Sequence, residues 1–384
     1  MAGMTENSVT TSGGRVERTG GLLAGPSIGA VLDANRGLGP GFDLCRIGLS
    51  LSVVFIHSFW VADSLALPLS GPFHPFVAGV LALFFGLSGF LVTGSAVRLR
   101  NLRTFLTFRV LRILPALMVE ISLSAIILGS LMTSDRLVDY FTDRRFFTYF
   151  LNMIGSIHYY LPGMFETNPV VGVVNKNLWT LHPEFISYGL MAALIVTGWV
   201  YSRRVMTGLW LAATLAGTGL NLWRGDFEPG FHFDGNVLVY CFLTGVVAFH
   251  WRDRIPVNRW LFVAACVAGY GLLLVPHTVF IVQVPLIYII LWLGMQKFPR
   301  IELLQRGDYS YGIYLYGFPI QQTIVHLVPS FARWWIIFPL ATAITFVIAA
   351  FSWHFVEKPT LRLKKYFTVR PPAPAAAALA AGTA

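Results

Sequence analysis

The chain has 384 residues, of which 55% are hydrophobic, 15% aromatic and only 12% charged. Soluble domains are about one quarter charged, so this composition excludes an ordinary soluble enzyme, a disordered chain and a fibrous protein. Apolar runs of about 20 residues recur along the sequence, which is typical of a polytopic membrane protein. The formal net charge of +10 fits the basic loops of such proteins. No RNA-binding motif accompanies it, so we expect no nucleic-acid partner.

Polar segments flank the apolar centre of the chain. Residues 1–41 are rich in Gly, Ser and Thr and lack the apolar stretch of a signal peptide, which predicts a disordered cytoplasmic tail. Residues 361–384 are first basic and then rich in Pro and Ala, which predicts a second cytoplasmic tail. Between them, 42–360 is predicted to be one membrane domain with a long outer loop at 133–177. Within that loop, 146–162 is apolar but short, so we expect an interfacial or re-entrant piece there.

The predicted fold class is all-α, with about ten transmembrane helices. An even number of spans places both termini on the same side of the membrane. Basic residues collect in cytoplasmic loops, and most of the 28 lysines and arginines fall on the side of the termini, which predicts that both termini are cytoplasmic. The outer loops hold only Arg136, Arg144, Arg145, Lys176, Arg224 and Arg333. The predicted spans are 44–62, 76–97, 109–132, 178–200, 205–223, 234–250, 259–276, 278–296, 309–329 and 334–356.

Five ionisable residues lie where the predicted spans should be apolar. His57 lies past the middle of the first span, Glu120 within the third and Glu184 near the outer end of the fourth. His326 and Glu357 lie near helix ends, where a side chain can reach the interface. A charge inside the bilayer costs several kcal/mol, so each residue is a candidate functional residue. For His57 the alternative is a structural histidine that is buried and hydrogen-bonded.

The spacing of these residues suggests a pair. Arg46 and His57 are eleven residues apart, which is about three helical turns and roughly 16 Å along one face. Arg109 and Glu120 have the same spacing in a span that runs in the same direction. If both arginines lie at the inner interface, His57 and Glu120 reach a similar depth. A carboxylate beside His57 would fix its tautomer and support a general base, provided that the two helices touch.

A cluster of arginines precedes and begins the third span. Five arginines fall within fifteen residues, and Arg109 and Arg112 are one turn apart on the same helix face. One interpretation is membrane topology and anionic lipid. The other is a phosphate clamp, because a guanidinium binds phosphate through two parallel hydrogen bonds. The cluster consists of Arg98, Arg100, Arg103, Arg109 and Arg112.

Six short motifs, taken in order, resemble one family. They are Phe42-Asp43-x-x-Arg46 followed by His57; Phe84-Phe85-Gly86-Leu87-Ser88-Gly89-Phe90-Leu91; Arg109-x-x-Arg112-x-x-Pro115; Leu178-Trp179-Thr180-Leu181-His182-Pro183-Glu184; Tyr309-Ser310-Tyr311-Gly312-Ile313-Tyr314-Leu315; and Glu357-Lys358-Pro359. Together they resemble the acyltransferase family 3 membrane proteins, which O-acylate cell-surface and secreted carbohydrates. The chain departs from the family pattern at Thr180, where Ser is usual, at Leu49, where Ala is usual, and at Tyr316-Gly317, where a His is frequent.

The resemblance implies a multi-pass enzyme of a bacterial cytoplasmic (inner) membrane. Acyl-coenzyme A, with acetyl-coenzyme A as the favoured donor, would enter from the cytoplasm, and a carbohydrate hydroxyl would receive the acyl group at the outer side. No cofactor beyond this donor is implied, and three cysteines are too few for a zinc site, so we expect no metal.

The resemblance also assigns roles to residues. His57 would be the catalytic base, with Glu120 and Glu184 as further catalytic residues. Arg109 and Arg112 would hold the donor's phosphates, with Arg46 and Ser88 also at the donor. A Ser88 nucleophile is conceivable, although Ser-Gly pairs are common where helices pack closely. The structural motif residues are Gly89, Phe90, Trp179, Tyr311, Tyr314 and Glu357.

The sequence leaves other interpretations open. A transporter or flippase for a sugar or lipid-linked precursor would also contain ten helices and intramembrane charges, although no internal repeat is visible. Tyr149, Tyr159 and Tyr160 in the outer loop could stack on sugar rings or form an interfacial aromatic belt. The acceptor sugar and the oligomeric state are not predicted.

Overall fold

The computed structural model describes residues 25–64, 71–224, 234–299, 302 and 307–367. These residues form helices joined by turns and loops. No extended strand occurs among them, and the β-type pairing they contain consists of isolated bridges. The all-helical prediction is therefore confirmed for this part of the chain.

Within the described ranges, eleven helices form the framework, and shorter helical turns extend or connect them. The framework helices are α1 (Ile28–Ala34), α2 (Phe42–Val61), α3 (His74–Leu99), α4 (Leu102–Ser122), α5 (Leu181–Val196), α6 (Arg203–Arg224), α7 (Gly235–Trp251), α8 (Arg259–Leu273), α9 (Gln283–Gly294), α10 (Ser310–Leu327) and α11 (Trp334–Ser352). The turns are Gly71–Phe73, Leu123–Leu128, Gly129–Met132, Leu137–Thr142, Arg144–Tyr149, Phe150–Ile154, Lys176–Thr180, Trp199–Tyr201, Pro329–Phe331, Trp353–Glu357, Lys358–Arg362 and Lys364–Phe367.

Each of the ten predicted spans overlaps one helix from α2 to α11. Within the described residues, five segments are long and apolar enough to cross a membrane, and α7, α8 and α9 are shorter apolar helices. The chain is thus a multi-pass helical membrane protein, whereas ten crossings and the orientation of the termini stay predictions. The five segments are Phe42–Val61, Gly71–Leu99, Leu102–Met132, Arg203–Trp223 and Trp334–Phe367.

The prediction of a disordered tail over residues 1–41 is wrong for its last part, residues 25–41. Residues 25–41 include the helix α1, whose Ile28 and Leu32 are buried. The Ser27 hydroxyl caps this helix, and the backbone N–H of Gly29 donates to the carbonyl of Arg252 at 2.9 Å. A Cβ at Gly29 would lie 1.9 Å from a side-chain oxygen of Asp253, so a larger residue there would displace this exposed carboxylate. Two well-spaced apolar residues therefore order a segment of polar composition, and residues 1–24 lie outside the described part.

The predicted C-terminal tail also begins with ordered structure. The short helices Lys358–Arg362 and Lys364–Phe367 continue α11, and the hydroxyl of Thr104 in α4 donates to the carbonyl of Phe367 at 3.1 Å. These contacts hold the basic start of the segment against the bundle. Residues 368–384, with the Pro- and Ala-rich sequence, lie outside the described residues.

Glycines allow α3 and α7 to cross closely. A Cβ at Gly89 would lie 2.0 Å from the carbonyl oxygen of Phe242, and one at Gly245 would lie 2.0 Å from that of Gly86. Small residues let helix backbones approach in this way in membrane proteins. The neighbouring Phe90 is buried against Phe42 with ring centroids 5.9 Å apart. Gly89 and Phe90 thus have packing roles.

Hydrogen bonds at two levels fix α10 against α2. The Ser50 hydroxyl donates to the carbonyl of Ser310 at 2.8 Å, and the Gln321 amide donates to the carbonyl of Val54 and the hydroxyl of Ser58 at 2.7 and 2.8 Å. These buried polar side chains pair two apolar helices in one register. The register places the second half of α2 beside the second half of α10.

The long loop between α4 and α5 folds into the bundle. After the turns that extend α4, it contains the short helices Leu137–Thr142 and Arg144–Tyr149 and the 3-10 turns Phe150–Ile154 and Lys176–Thr180. Stretch 146–162 has no helix of span length, as predicted. Tyr149 is completely buried, so it cannot stack on a sugar, whereas Tyr160 is 52% exposed. The Asn168 amide donates to the carbonyl of Gln322 in α10 at 2.9 Å. This loop therefore forms part of the interior.

The predicted orientation can be tested by cysteine labelling. A Leu99→Cys variant, made after replacing the native cysteines, lies beside Arg98 and Arg100 at the end of α3. We expect an impermeant maleimide to label it only after the membrane is permeabilised, because basic segments stay cytoplasmic. Ser330→Cys, in the exposed turn between α10 and α11, should be labelled in intact cells. Labelling of Leu99→Cys in intact cells would show that the orientation is the reverse of the predicted one.

Candidate active site

A cavity of about 520 Å³ lies between α3, α4, α5 and α10. Its lining on α3 runs from Leu81 to Arg98, which spans about 25 Å at the rise of an α-helix. One end of this stripe is basic and the other is apolar. The volume falls in the range of small-molecule sites.

Two of the arginines at the basic end are held by carboxylates. Asp308, just before α10, accepts from Arg46 and from Arg112, both at 2.6 Å, and Arg112 also binds Glu357 at 2.9 Å. Burial alone would raise the pKa of Asp308, but the two guanidinium groups outweigh burial and hold this pKa well below its usual range. The π-helical turn Trp353–Glu357 ends at the carboxylate that Arg112 binds. Arg46 and Arg112 therefore join α2, α4, α10 and the end of α11.

Sequence reasoning did not single out Asp308. The residue directly precedes the Tyr309-Ser310 motif, and a charge between two predicted spans is read as a loop residue. Its partners Arg46 and Arg112 are far away in sequence. Its one local signal is the adjacent hydroxyl of Ser310, which donates to its other oxygen at 2.6 Å.

Arg109 differs from its neighbour Arg112. It makes no ion pair with a carboxylate of the described residues. Its Nη2 donates to the Ser95 hydroxyl at 3.3 Å, and its buried Nε has no hydrogen-bond partner there. The side chain is partly buried and lines the cavity, so its charge faces this space without a carboxylate partner among the described residues.

Glu184 lines the same cavity as Arg109. It lies in the first turn of α5, and the hydroxyl of Tyr188, one turn later, donates to it at 2.7 Å. The sequence predicts a span of 178–200 with Glu184 near its outer end. In the structure α5 covers only Leu181–Val196, because the preceding loop folds inward before the helix begins. Glu184 is thus beside the arginines and not apart from them.

Tyr314 lines the end of the cavity away from Arg98. Its hydroxyl lies 2.6 Å from that of Thr180 and donates to the carbonyl of Asn177 at 3.3 Å. The ring of Phe84 lies 5.9 Å from that of Tyr314. Asn177 and Thr180 belong to the 3-10 turn Lys176–Thr180, so one turn and one side chain form the wall.

His57 lies beyond this wall and does not line the cavity. Its ring contacts Phe318 edge to face with centroids 5.1 Å apart, and Phe318 is one helical turn past Tyr314 on α10. Trp60 lies 6.0 Å away on the same side of the ring system. The buried Nδ1 of His57 has no partner among the described residues, which leaves it available to a hydroxyl group.

The predicted hydrogen bond between His57 and Glu120 is not present. One oxygen of Glu120 accepts from the Ser124 hydroxyl and from the Asn175 amide, both at 2.9 Å. Asn175 also donates to the carbonyl of Leu315 at 2.9 Å. The spacing of residues along a helix predicts their depth in the membrane but not which helix is the neighbour. Here α10 lies between α2, which carries His57, and α4, which carries Glu120. Glu120 instead anchors the chain directly before the Lys176–Thr180 turn.

The remaining motif residues have varied positions. Ser88 and Tyr311 line the cavity. The Tyr311 hydroxyl donates to the carbonyl of Ile113 in α4 at 3.1 Å, and its ring lies 5.7 Å from the Arg112 guanidinium. Trp179 packs against the core between α5 and α7. No cluster of metal-binding side chains occurs in the part of the chain that the structure describes.

Lys176 lies on the side of His57. Its Nζ is 4.6 Å from the ring centroid of Tyr159 and 5.5 Å from that of Trp60. Burial lowers the pKa of this lysine. Its chain neighbour Asn177 lines the cavity, so consecutive residues face opposite sides of the wall.

The Asp308 network leads to a stability prediction. Asp308→Asn removes the carboxylate shared by Arg46 and Arg112, and breaking a buried ion pair costs about 3–5 kcal/mol. We expect a clear fall in the thermal unfolding temperature of the purified protein in detergent. Asp143→Asn breaks a more exposed pair with Arg145 and should cost roughly 1 kcal/mol or less. Equal unfolding temperatures for the two variants would contradict the role of Asp308.

Comparisons with known proteins show the family of the chain. A family model described as an acyltransferase domain matches residues 40–354. The chain is 27% identical over 369 residues to nodulation protein 10 of Rhizobium leguminosarum bv. viciae, covering 86% of this chain and 95% of that protein. It is 26% identical over 346 residues to an O-acetyl transferase of Shigella phage Sf6, covering 83% and 94%. No solved structure matches the chain significantly. The chain therefore belongs to the acyltransferase family 3 and is a membrane enzyme of the O-acetyltransferase type.

Proposed function

We propose that the protein transfers an acetyl group from acetyl-coenzyme A to a hydroxyl of a cell-surface or secreted carbohydrate, with His57 as the general base. The observation that carries the proposal is the relation between the cavity and His57. Arg109, which has no carboxylate partner in the described part of the chain, lies near one end of the cavity. At the other end, His57 contacts Phe318, which is one helical turn past Tyr314. The donor and the base thus approach one another from opposite sides.

The basic end suits the phosphates of coenzyme A. Arg109 is the residue we assign to direct phosphate contact, because guanidinium groups bind phosphate through paired hydrogen bonds. Arg46 and Arg112 are already bound by carboxylates. We therefore assign them to the framework and the positive field of this end. The cavity stripe on α3 gives an extended donor room to reach from Arg98 toward Tyr314.

The proposed chemistry is a direct transfer. The acceptor hydroxyl attacks the thioester carbonyl, and its proton moves to His57. The carbon–sulfur bond then breaks, and the proton passes from His57 to the leaving thiolate. A positioned base of this kind contributes about 10²–10⁴-fold to such a step. Ser88 lines the cavity beside Gly89, and Ser-Gly pairs are common where helices pack closely, so an acyl-serine intermediate is not part of the proposal.

The acceptor would bind on the side of Trp60, Tyr159 and Lys176. Aromatic faces and a cation are suited to the apolar and hydroxyl-bearing faces of a sugar ring. Tyr160, which is exposed, lies next to Tyr159 with ring centroids 6.3 Å apart. Because this group adjoins His57 through Trp60, an acceptor hydroxyl there would be within reach of the base.

The donor site is tested by Arg109→Ala. Loss of a charge-assisted hydrogen bond costs about 1.5–3 kcal/mol, so we expect coenzyme A to bind roughly 10- to 150-fold more weakly. Titration of the purified protein with coenzyme A measures the Kd. Arg103→Ala, an exposed arginine of the same cluster that does not line the cavity, is the matched control. An unchanged Kd in Arg109→Ala would place the phosphate site elsewhere.

The base is tested by His57→Ala. We expect the variant to fold and to bind coenzyme A with the wild-type Kd, since His57 is outside the cavity. Acetylation should be lost because only proton removal is affected. The measurement is the mass of surface glycans in cells that carry each variant.

His326→Ala is the matched control for this experiment. His326 is another histidine of a membrane helix, near the end of α10 and packed on Phe165. Cells with His326→Ala should retain acetylated surface glycans. Full acetylation in cells with His57→Ala would show that His57 is not the base. If the wild-type protein leaves acetyl-coenzyme A unreacted, this would indicate transport in place of acyl transfer.

A further inference from the structure

The wall between the cavity and His57 consists of one turn and one tyrosine. On the cavity side lie Asn177, Thr180 and Tyr314. On the other side lie Lys176, which contacts Trp60, and the ring of His57. The two sides are therefore separated by the thickness of a single layer of side chains.

The turn itself is fixed to its surroundings. Asn175 binds Glu120 on α4 and the carbonyl of Leu315 on α10. The Asn177 amide donates to the backbone carbonyl of Tyr314. These buried amides hold the backbone of the turn against α10 from both flanks. A passage through the wall would thus need a side chain to move and not the turn.

The side chain that can move is Tyr314. Its hydroxyl is held by the hydroxyl of Thr180 and the carbonyl of Asn177. Both partners are neutral, and a neutral hydrogen bond contributes only about 0.5–1.5 kcal/mol. Rotation of the ring would connect the apolar end of the cavity with the side of Phe318 and His57.

We propose that Tyr314 is the residue that decides between a sugar hydroxyl and water as acyl acceptor. In the closed position seen here it separates the thioester end of the cavity from His57. It would move aside when an acceptor is present on the side of His57. This inference rests on the proposed function, because it requires an acyl donor in the cavity and a base at His57.

Without the tyrosine ring, water should replace the sugar. A water molecule beside His57 would attack the thioester carbonyl and give its proton to His57. The carbon–sulfur bond would break, and the thiolate would take that proton and leave as free coenzyme A. The products are acetate, which loses its own proton to the solvent, and coenzyme A. No other reactant is needed.

The experiment measures release of free thiol from acetyl-coenzyme A by the purified protein in detergent, without any carbohydrate. We expect the wild-type protein to be slow and Tyr314→Ala to be about 100-fold faster, at the lower end of what a general base contributes. In the double variant Tyr314→Ala with His57→Ala, the rate should return to that of the wild type. Saturating donor keeps differences in binding out of the comparison.

Tyr316→Ala is the matched control. Tyr316 is a buried tyrosine of the same helix, two residues away, which packs toward α4 and does not line the cavity. Tyr316→Ala should lose a comparable amount of packing, but it should hydrolyse acetyl-coenzyme A no faster than the wild-type protein. A wild-type rate in a folded Tyr314→Ala protein that binds coenzyme A would overturn the inference.

Two milder variants keep the inference testable if Tyr314→Ala does not fold. Tyr314→Phe and Thr180→Val remove the bond between the two hydroxyls and nearly preserve volume. Each should hydrolyse the donor several-fold faster than the wild type, and no gain in either would overturn the inference. If the double variant hydrolyses the donor as fast as Tyr314→Ala, Tyr314 still excludes water but His57 is not the base. That result would contradict the proposed function without contradicting the role of Tyr314.

Discussion

One carboxylate holds the basic end of the bundle together. Asp308 binds two arginines that come from different helices, and one of these also binds Glu357. Charges in an apolar bundle are usually paired or face a cavity. This pairing allows α2, α4, α10 and α11 to meet around concentrated positive charge. On the proposed function, it also leaves Arg109, the neighbour without a carboxylate among the described residues, to bind the phosphates of the donor.

The second determinant of the site is the inward fold of the loop before α5. Glu120, buried in α4, binds Asn175 and so fixes the turn that follows. That turn brings Glu184 into the cavity and presents Lys176 to the opposite side. A loop that begins as an external connection thus supplies the wall at the centre of the protein. On the proposed function, this loop turn and Tyr314 of α10 together separate the donor side from the acceptor side.

The sequence predicts much of this arrangement and misses specific parts. Run length and composition identify the helices, and motif spacing identifies Arg109 and Tyr314, because both depend on residues close in sequence. The Asp308 network depends on partners far apart along the chain, which a single sequence does not display. The rise per residue gives the depth of Glu120 but not which helix faces it. The position of Glu184 depends on a loop that no periodic pattern describes.

The short length of α5 bears on what has to cross the membrane during transfer. Its sixteen residues extend about 24 Å, less than the roughly 30 Å of a hydrocarbon core. On the predicted topology, α5 alone would not reach across this layer, and the turns Lys176–Thr180 and Trp199–Tyr201 beside it would have to complete the crossing. On the proposed function, coenzyme A and the carbohydrate each remain in their own aqueous compartment, and only a two-carbon fragment crosses. Such a crossing needs no alternating rotation of helix bundles, unlike the transport of a whole sugar.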